Sequence, residues 1–414
     1  MNKDFYINSR LKVANELKSK EILILFAGKD ICQSADEAYK FTINRNFYYL
    51  TGINEQNDIL VMFNNNENVE TYIFINEYDE YVAKWYGRKM LDSEVIDVSG
   101  ITNIKYLKDF DEFIQKYIND GYTFLLDIEK GPFEEPTQES FKFMQKYNLE
   151  AVNYHNILAK YRLEKEEDEL QLMRNAIEIT NKGIKAIMEN IKPGMYEYQV
   201  ESYFDQQIKY HGASGHAFKT IAASGINGCV LHYSSNNNII NDNELVLFDL
   251  GAEYQLYKSD ITRTIPANGK FTARQKEIYQ IVLNGQKLVF QSIKPGITTK
   301  ELNEILINYY KVELKKIGLI KEDNEVFKYY FHGVSHQIGL DTHDISIALK
   351  PLTPGCVISV EPGLYIKEEK IGIRIEDDAL VTENGSINLS KDIIKEIDEI
   401  EEYMQKNNKY LKAN

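Results

Sequence analysis

The segment Leu245–Pro266, LVLFDLGAEYQLYKSDITRTIP, predicts a β-hairpin. An apolar run enters a central turn and a β-branched run leaves it, which is the pattern of two paired strands. With the turn centred between Tyr254 and Gln255, Asp249 and Asp260 lie directly opposite each other. Like charges at facing positions destabilise a sheet unless something compensates them. A bound cation is the expected compensation.

A second segment, Ser359–Leu380, repeats this arrangement. Its polar centre, KEEK at 367–370, predicts the turn, and folding about the midpoint places Glu361 opposite Glu376. Between the two hairpins, His336 in HGVSH offers one imidazole. Any one of these acids taken singly is better explained as a solvated hairpin residue. The repetition of a facing acidic pair favours a metal site.

Four carboxylates and one nitrogen form an oxygen-rich ligand set. Such a set suits a pair of hard divalent ions, with manganese the first choice, better than zinc, whose structural sites prefer thiolate and imidazole. The spacing of His332 and His336 also occurs in zinc-binding helices, but Gly333 and the missing HExxH pattern argue against that interpretation. The predicted cofactors are therefore two divalent metal ions.

Five stretches in one order resemble the pita-bread-fold metallopeptidases of family M24B. They are most similar to aminopeptidase P, which releases the residue preceding a proline at a peptide N-terminus. The stretches are NGCVLHY (227–233), SDITRT (259–264), HGVSHQIGLDTHD (332–344), SVEPGLY (359–365) and GIRIEDDALVT (372–382). In the N-terminal third, RNFYYLTGINE (45–55) and KWYGRK (84–89) look like the N-terminal domain of the same group.

This resemblance implies a mixed α/β (α+β) chain of two domains. Residues 1–155 would form a creatinase-like α/β domain with a small mixed sheet, and residues 160–414 a pita-bread catalytic domain with an internal pseudo-twofold repeat. Patterning within the first domain predicts strands at 21–26, 59–63, 71–75 and 123–128, and helices at 5–17, 110–118 and 141–147. In the second, 182–194 and 284–296 echo each other as helices that stop at Pro-Gly.

The resemblance also implies the roles of individual residues. Metal ligands would be Asp249, Asp260, His336, Glu361 and Glu376. A hydroxide bridging the metals would attack the carbonyl before proline, and Glu361 would pass its proton to the leaving nitrogen. Substrate contacts and stabilisation of the tetrahedral intermediate would come from His232, His332, His343, Tyr365 and Arg374. In the N-terminal domain, Trp85 would be the aromatic residue that can reach the active site of a neighbouring subunit.

Two other functions remain open from the sequence alone. A prolidase, which cuts only Xaa-Pro dipeptides, differs mainly in how the far end of the substrate pocket is closed. A pita-bread protein without catalysis, or a metal-free relative such as creatinase, would serve as a binding module. The five intact ligand positions argue against this last possibility.

The composition excludes several other partners. A formal net charge of −15, from 48 basic and 63 acidic residues, argues against nucleic acid or an anionic membrane. Cys32, Cys229 and Cys356 are scattered without CxxC spacing, so neither a disulfide framework nor a thiolate metal site is indicated. No apolar segment has signal-peptide or membrane-spanning length, so a cytoplasmic protein is expected. The expected partners are a peptide with an Xaa-Pro N-terminus and, by resemblance, further copies in a homodimer or homotetramer.

Overall fold

The computed structural model describes residues 1–66, 68–128 and 139–411. The chain divides into two compact units, with the division between Arg162 and Leu163. Each unit has its own apolar core. Within the described ranges, no helix is both long enough and apolar enough to cross a membrane.

The first unit is an α/β domain. Its elements are α1 (Lys3–Ala14), β1 (Glu21–Phe26), β2 (Cys32–Ser34), β3 (Glu37–Ala38), α2 (Arg45–Thr51), β4 (Ile59–Asn64), β5 (Val69–Ile75), α3 (Glu80–Tyr86), α4 (Asp92–Ser99), β6 (Ile104–Tyr106), α5 (Phe110–Asn119), β7 (Thr123–Leu126), α6 (Glu139–Tyr147), β8 (Ala151–Asn153) and α7 (His155–Arg162). Six of the strands form a mixed sheet in the order β6-β5-β4-β1-β7-β8. The predicted small mixed sheet is confirmed, and the predicted strands and helices correspond to β1, β4, β5, β7, α1, α5 and α6.

Strand β1 shows why the sheet lies at the centre of this unit. Its sequence EILILF has four buried residues in a row, which is typical of a strand covered on both faces. Ile22 and Ile24 belong to the apolar cluster that includes Ile114 of α5 and Phe143 of α6. Their buried neighbours in β1 point to the opposite face, since side chains alternate along a strand.

Helix α7 belongs to the first unit. Arg162 Nη1 donates to Asn46 Oδ1 at 2.7 Å, and the Tyr161 hydroxyl donates to Glu16 Oε1 at 2.6 Å. The short gap expected between the domains, at 156–159, lies within this helix. The last three residues of the expected second domain, 412–414, fall outside the described residues.

The second unit combines long helices with four small antiparallel sheets. Its elements are α8 (Glu167–Asn190), α9 (Glu197–Tyr210), β9 (Gly215–His216), β10 (Ile221–Ser224), β11 (Leu245–Leu250), β12 (Ala252–Tyr254), β13 (Tyr257–Lys258), β14 (Ile261–Pro266), α10 (Ala273–Ser292), α11 (Thr299–Lys316), β15 (Val357–Val360), β16 (Gly363–Ile366), β17 (Ile371–Arg374), β18 (Asp377–Thr382), β19 (Gly385–Asn388) and α12 (Ile397–Asn407). The sheets have the orders β10-β11-β14, β13-β12-β9, β15-β18-β19 and β16-β17.

The two echoing segments end helices α8 and α10 at equivalent points, directly before Ile-Lys-Pro-Gly. Each helix also carries a glycine that faces the following helix. A Cβ atom at Gly183 would lie 2.2 Å from the Phe204 side chain of α9, and one at Gly285 would lie 2.8 Å from Leu306 of α11. Both helix pairs therefore approach closely at a residue without a side chain.

The first hairpin has a different turn from the predicted one. Tyr254 pairs with Tyr257, so the two turn residues are Gln255 and Leu256. Their φ angles are 47° and 71°. Positive φ at both central residues is the geometry of a type I′ turn, which matches the right-handed twist of the flanking strands.

This turn moves the register by two residues. Asp249 pairs with Thr262 and not with Asp260. The prediction that the two acids lie directly opposite each other is therefore wrong, and they are diagonal neighbours instead. Because side chains alternate with a period of two, a shift of two residues leaves both acids on one face.

The second hairpin has the predicted register. Val360 pairs with Asp377, and one further step along both strands sets Glu361 opposite Glu376. The polar KEEK segment forms the turn, which closes at Lys370 with a φ of 55°. The prediction of a facing acidic pair is confirmed in this hairpin.

Candidate metal centre and active site

Side chains from separate parts of the second unit converge on one point. Asp260 precedes β14, Glu376 lies between β17 and β18, and His336 lies in the loop before β15. One ligand atom of each lies within 4.8 Å of the others. The Nε2 atom of His336 is 3.4 Å from Asp260 Oδ2 and 3.5 Å from Oε1 of Glu361. Four of the five expected ligands are thus brought together.

The crowded acids have raised pKa values. Burial raises the pKa of Asp260 well above its usual range, and the charge of Glu376 raises it further. Burial, followed by the charge of Glu361, has the same effect on Glu376. Burial also raises the pKa of Glu361 to about 7. The acids of such a cluster resist ionisation, and a bound divalent cation would favour their ionised form.

The histidine of the cluster presents a free ring nitrogen to the acids. His336 Nδ1 lies 3.0 Å from the carbonyl oxygen of Gln337. Since a carbonyl oxygen only accepts hydrogen bonds, Nδ1 carries the proton and Nε2 keeps its lone pair. Burial lowers the pKa of His336 to about 4, so the ring is neutral near pH 7. A neutral imidazole is the form that binds a metal.

The fifth expected ligand, Asp249, is held by an arginine. Arg374 Nη2 donates to Asp249 Oδ2 at 2.6 Å. The other oxygen, Oδ1, is buried and has no hydrogen-bond partner in the described structure. The same guanidinium donates through Nη1 to the Tyr365 hydroxyl at 3.0 Å. Arg374 therefore fixes Asp249 and Tyr365 relative to each other and leaves one carboxylate oxygen available.

Thr262 is a site residue that the sequence interpretation missed. Its hydroxyl donates to Glu376 Oε2 at 2.6 Å and accepts from Arg374 Nε at 3.1 Å. Thr262 follows Asp260 by two residues, so strand alternation places both on one face. That spacing was the signal that could have identified it.

Arg263 is a second missed residue and is fully buried. Its Nη1 atom donates to the carbonyl oxygens of Thr262 and Glu376, at 2.9 and 2.6 Å. Its Nη2 atom pairs with Asp377 Oδ1 at 2.7 Å. Asp377 thus supports the site through Arg263 and through the backbone beside the cluster.

A hydrogen-bonded chain connects Arg374 to His332. His332 Nδ1 lies 2.7 Å from the carbonyl oxygen of Gly333, and its Nε2 lies 2.8 Å from the Tyr365 hydroxyl. With the proton on Nδ1, Nε2 accepts from the tyrosine, whose oxygen in turn accepts from Arg374. Burial lowers the pKa of His332 to about 4 and raises the pKa of Tyr365 to about 12.

The other two predicted histidines lie near this chain. The ring of His343 is 4.3 Å from that of His336, centroid to centroid. Burial lowers the pKa of His343, and the charge of His232 lowers it further. His232 is exposed and acts on the pKa of His332 in the same direction. His332 and His343 therefore each lie close enough to His232 for its charge to lower their pKa values.

The loop that carries His343 is attached to the first residues of the second unit. Lys165 Nζ lies 3.0 Å from Asp344 Oδ2, and each side chain is 1% exposed. A Cβ atom on Gly339 would lie 2.3 Å from the same carboxylate oxygen. This buried ion pair fixes the position of the residue directly after His343.

The strand that carries Arg374 touches the loop that carries His232. A Cβ atom added to Gly372 would lie 2.0 Å from the carbonyl oxygen of Gly228. Next to this contact, the Cys229 thiol donates to the carbonyl oxygen of Ile371 at 3.4 Å. Backbone meets backbone here with no side chain between them.

Trp85 is in the first unit, on helix α3, and 68% of it is exposed. The helix has no buried residue, and the centroids of its Tyr81 and Trp85 rings are 6.3 Å apart. The three remaining histidines have ordinary contacts: His155 pairs with Asp127, His216 pairs with Asp205, and the His211 ring contacts the Tyr210 ring edge-on.

Comparison with protein families identifies both units. A model described as metallopeptidase family M24 matches residues 171–383, which include every predicted metal ligand. A model of the aminopeptidase P N-terminal domain matches residues 6–125. The chain belongs to metallopeptidase family M24.

Comparison with individual relatives shows which group within family M24 the chain is most similar to. The Xaa-Pro aminopeptidase of Escherichia coli is 32% identical over 95% of this chain and 96% of its own length. A solved Bacillus anthracis structure, named as a candidate aminopeptidase P, is 42% identical with a TM-score of 0.96 over 99% of this chain and all of the other. Aminopeptidase P from E. coli with the inhibitor Pro-Leu has a TM-score of 0.89 at 30% identity, covering 98% of this chain and 99% of the other. Within family M24, the chain falls in the aminopeptidase P group.

The residues present fit divalent metals. Asp260, His336 and Glu376 offer ligand atoms within 4.8 Å of one another, and Asp249 Oδ1 is a buried acceptor without a partner. Carboxylate oxygens with a single imidazole match a hard cation better than a soft one. The raised pKa values of the acids agree with this, because a bound cation would stabilise their ionised form.

Proposed function

We propose that this protein is an Xaa-Pro aminopeptidase that releases the first residue from peptides with proline in the second position. The carrying observation is the convergence of Asp260, His336 and Glu376, in a chain 32% identical to the Xaa-Pro aminopeptidase of E. coli over nearly its whole length. The nitrogen of proline is tertiary and its ring is bulky, so this bond needs a dedicated site.

The proposed cofactors are two divalent ions, with manganese the first choice. Asp249 and Asp260 would hold one ion, and Asp260, His336, Glu361 and Glu376 would share the other. The unpaired Asp249 Oδ1 and the lone pair on His336 Nε2 support this division. When bound, such ions supply an activated water near neutral pH.

The protein side chains would then move the proton and stabilise charge. Glu361 is suited to accept a proton and return it to the leaving nitrogen, because its carboxylate lies within the ligand cluster, with Oε1 3.5 Å from His336 Nε2. His232, His332 and His343 would bind the scissile carbonyl and stabilise the charge that develops on its oxygen. Arg374 and Tyr365 would orient His332 and Asp249 for these tasks.

A prolidase restricted to Xaa-Pro dipeptides is the second candidate, because it would need the same metal ligands. The two activities are distinguished by hydrolysis of an Xaa-Pro-Xaa tripeptide beside an Xaa-Pro dipeptide. Metal-stripped protein would be assayed with and without added manganese. Manganese-restored cleavage of the tripeptide is the expected result. Cleavage of the dipeptide alone would establish a prolidase, and cleavage of neither, with no metal bound, would establish a binding module.

The protein is also proposed to form a homodimer or homotetramer through its first unit. Support comes from helix α3, where Tyr81, Trp85 and Tyr86 are 69%, 68% and 86% exposed. Neighbouring exposed apolar groups of this kind are typical of a surface that binds another protein. In this proposal Trp85 reaches the active site of a neighbouring subunit.

A further inference from the structure

A buried carboxylate organises the loop that carries His232. Glu197 is the first residue of α9 and is 0% exposed. Its Oε1 atom accepts from the Ser224 amide at 2.7 Å, from the Ser224 hydroxyl at 2.7 Å and from Asn227 Nδ2 at 3.1 Å. Its Oε2 atom accepts from the Tyr233 hydroxyl at 2.8 Å and from the Asn238 amide at 3.0 Å. Every one of these donors lies between 224 and 238.

The donors bracket His232 along the chain. Ser224 and Asn227 lie before it, Tyr233 directly follows it, and Asn238 ends the segment. The end of the segment is also fixed to the start of α9, since the Glu197 amide donates to the carbonyl oxygen of Asn238 at 2.9 Å. His232 itself is exposed, so packing does not hold its position. The position of its imidazole depends on the segment around it.

A carboxylate is the group that this arrangement requires. Five donors, all uncharged, point at two oxygens, and each oxygen accepts at least two of them. A carboxylate has about four lone-pair sites and no donor, whereas a carboxamide has one acceptor atom and two donors. In a Glu197→Gln variant, at least two of the five donors would face an NH2 group. Unsatisfied buried donors are unfavourable, so the segment would shift.

We propose that Glu197 is a positioning residue that holds His232 in place for the reaction. The inference rests on the proposed function, in which His232 binds the scissile carbonyl. Among the described residues Glu197 is not part of the metal-ligand cluster, and its side-chain hydrogen-bond partners belong to the 224–238 segment. Its effect on catalysis therefore passes through the placement of His232.

A double-mutant cycle tests this proposal. The variants Glu197→Gln, His232→Ala and their combination would be assayed with an Xaa-Pro-Xaa peptide in the presence of manganese, with metal content measured in parallel. Glu197→Gln is expected to lower kcat by about tenfold or more, the effect of losing two hydrogen bonds. It should leave metal content unchanged. The double variant should match His232→Ala within about twofold, because residues that act as one unit are not additive.

A double variant whose loss equals the product of the two single losses would overturn the proposal, as would a Glu197→Gln variant with wild-type kcat. If His232→Ala itself keeps wild-type kcat, the role of His232 in the proposed function is wrong, and the positioning proposal is overturned with it. A His232→Ala variant with a reduced but measurable kcat, combined with additive losses in the double variant, would overturn the positioning role alone. The two failures are therefore distinguishable.

A milder pair of variants covers the case in which Glu197→Gln does not fold. Tyr233→Phe removes one donor to Glu197 and is expected to lower kcat by about threefold to fivefold. Tyr403→Phe is its matched control. The Tyr403 hydroxyl, on helix α12, donates to Glu189 Oε1 of helix α8 at 2.7 Å. The control should retain wild-type kcat. Equal kcat values for the two variants would overturn the proposal.

Discussion

Arg374 Nη2 lies 2.6 Å from Asp249 Oδ2, and the two side chains are 4% and 13% exposed. The guanidinium also reaches Tyr365 and Thr262, so one planar group orders three partners. A lysine would keep the charge but could not reproduce this fork of donors. The arrangement explains why an arginine, a cation, lies among residues that we propose to bind metal ions.

Arg374→Lys is therefore expected to lower kcat by about 10-fold to 100-fold, a range typical for loss of an outer-shell partner. The positive charge beside Asp249 is kept, so metal content should change little. Arg274→Lys is the matched control, because Arg274 pairs with Glu277 and Glu369 at the surface. A wild-type kcat in Arg374→Lys would contradict the orienting role.

Asp260→Asn should remove nearly all activity and leave the fold intact. Asp260 is the acid proposed to contact both ions, and its loss should lower kcat by more than about 100-fold, beyond the effect of an outer-shell change. The metal-free variant should also unfold at a higher temperature than metal-free wild type, because one of several crowded acids is gone. Turnover at the wild-type rate would show that the ligand assignment is wrong.

The crowded acids should make the metal-free protein less stable at pH 8 than at pH 5. Burial and mutual repulsion hold the pKa of Glu361 at about 7, and those of Asp260 and Glu376 are also raised. In the unfolded chain these carboxyl groups ionise near pH 4. Above that pH they hold more protons in the folded state than in the unfolded state. The contribution of these three acids to stability is therefore fully present below about pH 4 and is lost progressively as the pH rises through the folded pKa of Glu361.

Thermal unfolding at pH 5 and pH 8, with and without manganese, measures this effect. The metal-free midpoint should be lower at pH 8, and added manganese should raise it most at that pH, because the ionised acids bind the ion. A metal-free protein equally stable at both pH values would show that these acids are not crowded in solution.

His343→Ala should reduce kcat strongly while both metals stay bound. The ring contacts that of His336 edge-on and is not part of the cluster of described ligands, so it is expected to bind substrate rather than metal. His211→Ala is the control, since that ring lies outside the site and contacts the exposed Tyr210 ring edge-on. A fall in metal content in His343→Ala would make the residue a ligand.

Trp85→Ala should weaken the proposed oligomer. The side chain is 68% exposed in the single chain, and an aromatic ring of this size contributes strongly to an interface when buried. Sedimentation measurements over a range of concentrations would show a shift to smaller species, together with a lower kcat if the residue reaches a neighbouring site. An unchanged oligomer with unchanged kcat would remove Trp85 from both roles.

Much of the site follows from strand patterning in the sequence. Facing positions in the second hairpin place Glu361 opposite Glu376 because the polar KEEK run marks its turn clearly. The first hairpin lacks such a marker, since its turn residues, Gln255 and Leu256, adopt positive φ without being Gly or Asn. The register was therefore misplaced by two residues, and only the period of two kept Asp249 on the correct face.

Residues that act through buried polar contacts were harder to find. Glu197 lies in an ordinary helix start, and its five donors come from residues that follow it by 27 to 41 positions. Lys165 and Asp344 are 179 residues apart in the chain. Neither periodicity nor local spacing links such partners, because the contacts exist only after the chain has folded.

The contact between Gly372 and Gly228 has a consequence for mutational tolerance. A side chain at position 372 would push the segment that carries His232 away from the strand that carries Arg374, since its first atom already overlaps the facing carbonyl. Saturation mutagenesis would therefore mark this glycine as intolerant to replacement, although it has no group that binds or reacts. Loss of activity on substitution at such a position would reflect a changed distance between the His232 segment and the Arg374 strand. It would not show that the glycine itself binds substrate or reacts.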